Sequence, residues 1–243
     1  MKILVCISIV PETTTKIKFT NDKLDTSGVS FVVAPYDDYA LSKAIDLKTE
    51  KNATVVLLNV GTAANDTVIK KALALGADDA VRIDAEPIDA LFTATQIYEF
   101  AKNEAFDLIL MGRESSDFNG GIVHGMVAEM LGWQCITPCM KLDIASQKAT
   151  MLREIEGGKE KLEASLPLVI GCQEPIAEWK IAAMKNILMA NRKQIRVVAP
   201  VAVPNATTSS HFTLPAEKTG CKMIAADNVA ELVRLLKDEA KVI

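Results

Sequence analysis

The sequence predicts an α/β fold: a mostly parallel sheet with helices on both faces, Rossmann-like in plan, carrying a β-hairpin and an extended C-terminal arm. Three observations lead there. Short runs rich in Val, Ile and Leu alternate with longer segments of helical period, the pattern of strands joined by crossover helices. Those runs are nearly continuous in apolar residues, as strands covered on both faces must be. After Pro138 the alternation changes character, first to a two-residue period and then to none.

Taken in order, the strands fall at residues 3–9, 31–33, 54–59, 79–83 and 107–111, with helices at 36–50, 63–75 and 88–103. Residues 140–170 read as two long alternating strands, a hairpin whose turn lies in 153–159. The segment QEPIAEWKIAAMKNILMANRKQI suggests a short helix with exposed apolar residues and a cationic end. Beyond Pro200 the chain is poor in core residues and rich in Pro, Ser and Thr, before an amphipathic helix at about 226–240. So long a stretch without period sits poorly inside a compact domain. It makes better sense as an arm lying across another subunit, which divides the chain into an α/β body at 1–198 and an arm at 199–243.

Composition narrows the function classes. The 243 residues are 49% hydrophobic, ample for one large core, and the net charge of −4 is spread without a basic face. Nucleic acid and charged membrane surfaces are therefore poor partners. The opening MKILVCISIV is too short to span a bilayer and has no small-residue cleavage site, so a cytoplasmic location is expected. Five cysteines (Cys6, Cys135, Cys139, Cys172, Cys221) form no CxxC pair, and only two histidines accompany them. Neither a disulfide framework nor a metal site is expected.

The most informative run is 107–133, DLILMGRESSDFNGGIVHGMVAEMLGW, where an apolar strand ends at Gly112 and a polar, Gly-rich turn opens onto a helix. Unpaired N–H groups of a first helical turn point outward there, and the helix dipole adds partial positive charge. Gly120, Gly121 and Gly125 allow close approach of a ligand. In sheets of this kind ligands collect at the carboxyl ends of the strands, here residues 8–11, 34–37, 59–61, 84–89 and 112–119.

Taken together, MKILVCISIV, APYDDYALSKAIDL, LLNVG, KKALALGADDAVRI, the run 107–133, REIEGG, LPLVI and NILMANRKQIRVV resemble, in order and spacing, the beta (small) subunit of electron-transfer flavoproteins along nearly the whole chain. The resemblance implies a heterodimer with a larger alpha subunit. The beta subunit would bind one adenine nucleotide, usually AMP, while the alpha subunit makes most contacts to a redox-active FAD. Electrons would come from flavin dehydrogenases such as acyl-CoA dehydrogenases and pass to a quinone oxidoreductase, as in fatty acid oxidation. The subunit itself is then an electron carrier and not an enzyme, with no catalytic residue to name, because the flavin carries the chemistry. Carried over position by position, the nucleotide site comprises Cys6, then Ala34, Pro35, Tyr36 and Asp37, then Val60, and at the phosphate end Gly112, Arg113, Asp117, Asn119, Gly120, Gly121, Ile122 and Val123. Asp117, being anionic, is expected to cap the turn through backbone N–H groups or to bind ribose hydroxyls.

Several positions depart from the family pattern. Ile122 and Val123 stand where a Gln and a small residue are common, Gly121 where a polar side chain is frequent, and Ala34 where Asn is frequent. Adenine would then be read mainly by backbone, at a loss of ~0.5–1.5 kcal/mol for each missing neutral hydrogen bond, and Arg113 or His124 could compensate at the phosphate. Residues 174–191 match the segment by which such subunits anchor dehydrogenases. Met184 takes the anchor position and Trp179 is a further apolar candidate; Met adapts readily at promiscuous surfaces, and Trp is enriched among binding hot spots. Some family members bind a second FAD in place of AMP. Outside the family, a stand-alone adenine-nucleotide sensor resembling universal stress proteins would explain the first 135 residues but neither hairpin nor arm. A hydrolase is disfavoured, because no GxSxG elbow is present and Ser115, Ser116 and His124 form no ordered triad.

Overall fold

The computed structural model describes residues 1–20, 23–217 and 220–243, so Lys218 and Thr219 of the expected arm lie outside the described residues. A nine-stranded sheet organises the body. In chain order the strands are β1 Lys2–Cys6, β2 Ile9–Pro11, β3 Phe19–Thr20, β4 Lys23–Leu24, β5 Phe31–Val33, β6 Thr54–Gly61, β7 Asp79–Asp84, β8 Leu108–Gly112, β9 Gln134–Ala145, β10 Lys148–Ile155, β11 Gly158–Ser165, β12 Leu168–Cys172 and β13 Arg196–Val198. The helices are α1 Pro35–Lys51, α2 Asp66–Leu73, α3 Ala90–Ala101, α4 Val123–Leu131, α5 Met184–Arg192 and α6 Val229–Arg234, the last continued by a π-helical turn over Leu235–Glu239.

The sheet runs β11-β10-β9-β12-β8-β1-β6-β7-β13. Every pair from β9 to β13 is parallel, and β10 and β11 are added antiparallel at one edge. Alternate residues of each central strand face opposite sides. Ile3, Val5, Leu57, Leu108 and Leu110 join a core with Leu41, Leu47 and Ile69 of α1 and α2. Leu4, Val56, Leu58, Ile109 and Met111 join a second core with Phe92, Ile97 and Val127 of α3 and α4. From β1 the chain builds outward through β6 and β7, then returns to place β8 on the other side of β1. The connections diverge between β1 and β8, where such sheets open a crevice at the strands' carboxyl ends.

Three expectations change. The first strand ends at Cys6, and the chain resumes as β2, which pairs antiparallel with β5 in a separate two-stranded sheet. Residues 31–33 thus form a strand, but outside the parallel sheet. The break follows from the Ser8 N–H, which turns to the Asp37 carboxylate instead of continuing the ladder. The expected hairpin is a three-stranded meander, because β9 turns into β10 before β10 turns into β11. Its first turn holds Ser146 at φ 55, with no Gly or Pro to mark it, whereas the second has Gly157 at φ 82. The segment after α5 adds the edge strand β13 beside β7.

The arm's first part runs along the chain's own surface. The Gln96 amide grips the Val201 backbone from both sides, Nε2 donating to the carbonyl at 2.8 Å and Oε1 accepting the N–H at 2.9 Å. Farther on, Phe212 stacks on Phe19 with ring centroids 4.9 Å apart. Along α6 and its π-helical turn only Leu235 is buried.

Candidate functional site

A cleft of about 380 Å³ opens at the carboxyl ends of β1, β6 and β8. Its lining includes the apolar side chains of Cys6, Ile7, Leu58, Val60 and Ile88. The turn from Gly112 into α4 also lines it, through Arg113, Glu114, Asp117, Gly120, Gly121, Ile122 and Val123. Arm residues Ala206, Thr207 and Ser209 close one side.

The turn into α4 has the features of an anion cradle. No side chain caps α4, whose N-cap is Ile122, so the N–H groups of its first turn remain available to a ligand. Gly121 adopts φ 61 and Asn119 φ 48, both in the left-handed region, and the Asn119 N–H closes the turn on the Ser115 carbonyl at 2.8 Å. Asp117 Oδ1 accepts the Phe118 N–H at 2.9 Å, a bond to the turn's own backbone. The charge balance is acidic: Arg113 faces Glu114 at 3.5 Å, and Asp117 is close by in the same lining. A Cβ placed on Gly121 would lie 4.0 Å from Glu114 Oε2, which puts that carboxylate beside the cradle.

Asp37 sits at the junction of β1 and β8. Its oxygens accept the N–H groups of Ser8 at 2.7 Å and Gly112 at 2.6 Å, joining the two strand ends that form the crevice. Burial pushes this carboxyl up to about 7, and the two N–H donors pull against that rise. Gly112 is required at the strand end, because a Cβ there would come within 2.8 Å of the Tyr36 backbone carbon. Burial also drives the Cys6 thiol far above its ordinary value, leaving it an inert wall group.

The remaining positions divide. Ala34, Pro35, Tyr36 and Asn119 do not line the cleft, and the turn at 34–37 reaches it only through Asp37. Arg113 lines it, but its guanidinium is occupied elsewhere. Nη1 donates to Gln173 Oε1 at 2.9 Å, Gln173 in turn donates to Glu154 at 2.6 Å, and the guanidinium lies 5.4 Å from the Tyr36 ring centroid. His124 turns inward as well. Its Nε2 bonds the Arg113 carbonyl at 3.0 Å and its Nδ1 faces Cys135 Sγ at 3.7 Å, while burial lowers its pKa and keeps the ring neutral. Both residues line the cleft, but the polar atoms of each are engaged by the protein itself: Arg113, partly exposed, with Gln173 and Glu114, and buried His124 with the Arg113 carbonyl. Trp179 and Met184 lie away from the cleft on an exposed apolar face with Ile181 and Leu188; Met184 is 72% exposed, so it is not a core contact.

Sequence reasoning missed Asn65 altogether, and it placed Asp89 and Glu114 only within the strand-end stretches 84–89 and 112–119, without a role for either. Asp89 caps α3 by accepting the Phe92 N–H at 2.7 Å, and its other oxygen holds the arm through the N–H groups of Ala206 and Thr207 at 2.8 and 2.9 Å. Asn65, in the turn after β6, also lines the cleft. Its Nδ2 donates to Asn59 Oδ1 at 3.0 Å, and Asn59 Nδ2 donates to the Ile7 carbonyl at 2.8 Å. A signal was present: Asn59 interrupts an apolar strand, and a buried amide must find partners. Among the described residues no cluster of three or more His, Cys, Asp or Glu could hold a metal ion, and no helix is long and apolar enough to cross a membrane.

Residues 23–203 match the family model described as the electron transfer flavoprotein domain. The chain is also similar over its full length to curated proteins named electron transfer flavoprotein subunit beta. It is 32% identical to that of Bacillus subtilis over 258 residues, covering 100% of both chains. Identity to the protein of that name from Syntrophomonas wolfei is 31% over 247 residues, covering 100% of this chain and 98% of the other. For the human protein it is 27% over 252 residues, at 100% and 99%.

Proposed function

This chain belongs to the electron transfer flavoprotein family, in the company of its beta subunits, and from that premise we propose that it is the nucleotide-holding half of a heterodimeric electron carrier. The observation that carries the proposal is the cleft at the β1, β6 and β8 ends, lined both by apolar strand-end residues and by an uncapped helix start. That shape fits an adenine nucleotide laid with its base between the strand ends and its phosphate at Gly120–Val123. Cys6, Leu58, Val60 and Ile88 would enclose the base, the first-turn N–H groups of α4 would hold the phosphate, and Asp37 would keep the two strand ends in register from within. AMP is the ligand favoured over a second FAD. The cleft is near the lower limit of the roughly 300–1,000 Å³ range of small-ligand pockets, and Glu114 and Asp117 beside the turn oppose a second phosphate.

The redox cofactor is an FAD shared with an alpha subunit, and when bound it supplies the electron chemistry by accepting and releasing reducing equivalents at its ring. This chain contributes binding surface and orientation. Its partners are that alpha subunit, with the arm and α6 laid across it, and flavin dehydrogenases such as acyl-CoA dehydrogenases, docked on the apolar face around Met184. A quinone oxidoreductase is the onward acceptor. Co-expression with an alpha-type subunit should yield a yellow one-to-one complex, and mass spectrometry of the denatured complex should find AMP and FAD in equal amounts. A colourless, self-sufficient chain without adenylate would overturn the assignment; two FAD per complex would replace AMP with the second-flavin reading.

A further inference from the structure

We propose that residues 206–209 of the arm form a strap across the nucleotide cleft, that Asp89 is its clasp, and that bound nucleotide and closed strap stabilise each other; this rests on the nucleotide reading above. Ala206, Thr207 and Ser209 line the cleft, and so does Asp89. One carboxylate serves two elements. Its Oδ1 accepts the Phe92 N–H and caps α3, while Oδ2 takes the N–H groups of Ala206 and Thr207, 117 and 118 residues farther along the chain. Those donors, Phe92 and then Thr207 foremost, hold the Asp89 carboxyl below its ordinary value, so it stays charged at neutral pH. Hydrogen bonds to an ionised acceptor are stronger than neutral ones.

The strap has no stiffness of its own: residues 204–210 are exposed and belong to no helix or strand. They run between two fastened points, Val201 in the grip of Gln96 and Phe212 stacked on Phe19. Such a segment opens locally without unfolding the body. A ligand filling the cleft rests against the closed strap and loses that wall when it opens. It therefore binds the closed form more tightly, and by linkage it favours closure by the same factor. Asp89 is a positioning residue in this scheme, since its oxygens are committed to N–H groups of the chain.

Hydrogen exchange and calorimetry on the full-length chain test this with AMP as the probe. An Asp89→Asn variant keeps one acceptor oxygen, which can face the α3 cap or the arm but not both. Asp89→Ser, a preferred cap with a shorter reach, is the second variant. In wild type, AMP should slow exchange at Ala206 and Thr207 about three- to tenfold. Both variants should exchange faster there without AMP and bind AMP about three- to tenfold more weakly. AMP that binds wild type without protecting these amides overturns the coupling, as does unchanged AMP affinity in a variant whose strap exchanges faster. Wild-type exchange at Ala206 and Thr207 in both variants overturns Asp89 as the clasp. Each of these results leaves the nucleotide site standing, whereas a wild type that binds no AMP removes the nucleotide reading and this inference with it.

Discussion

The carboxylate of Asp37 occupies the point where β1 and β8 separate, accepting one N–H from each side. Its elevated value of about 7, against an ordinary 3.8, means the folded chain retains a proton there that the unfolded chain gives up. The associated stability is complete below about pH 4 and is lost as pH rises through about 7. Wild type should therefore lose ground to Asp37→Asn between about pH 4 and about pH 8, measured as the gap in urea-unfolding free energy; a gap independent of pH would refute the linkage. Gly112 makes a second residue-scale case, since the first turn of α1 packs closely against it at Tyr36 and Asp37. Gly112→Ala should cost ~1–3 kcal/mol through forced displacement of α1, visible as a lowered unfolding temperature. At this scale the Gly-rich turn was legible, because glycines after an apolar strand carry a backbone meaning. Asn65 was not, since its placement depends on Asn59, six positions earlier, and through it on the Ile7 carbonyl just beyond the end of β1.

Elements were legible where burial alone decides them. The central strands and the crossover helices α1 to α3 follow from apolar runs and helical period, and the structure shifts their ends by only a few residues. Errors arose where tertiary hydrogen bonds compete with pattern. The alternation in 140–170 runs straight through the Ser146 turn, and 31–33 has strand composition but a partner outside the main sheet. Helix α5 is the element whose pattern points outward. Trp179, Ile181, Met184 and Leu188 lie on or before it and remain exposed, an apolar group of the kind that marks a docking surface. Met184→Ala should slow electron delivery from a cognate dehydrogenase several-fold while leaving the flavin content unchanged, checked by stopped-flow reduction and the visible spectrum of the complex. An unchanged rate would shift the docking role to another residue of that face.

For the whole molecule, the arm links the cleft to the periphery. Asp89 caps α3 and holds Ala206 and Thr207 with the same carboxylate, and Gln96 fastens Val201, so the first part of the arm belongs structurally to the α/β body. Among the described residues beyond Phe212 few anchors remain, and α6 turns mostly apolar residues to solvent. Trypsin should therefore cut the isolated chain first near Lys222 and spare residues 1–198, and pairing with an alpha-type subunit should slow that cut severalfold; equal rates would separate the arm from assembly. In the main sheet, the antiparallel extension leaves β11 as an edge strand. Along it Lys159, Lys161 and Glu163 are exposed, a fringe carrying charges of both signs. Charges on an unpaired rim discourage a second molecule from zipping on through main-chain bonds, which keeps such a broad ribbon of structure from seeding fibres and leaves association to surfaces shaped for it.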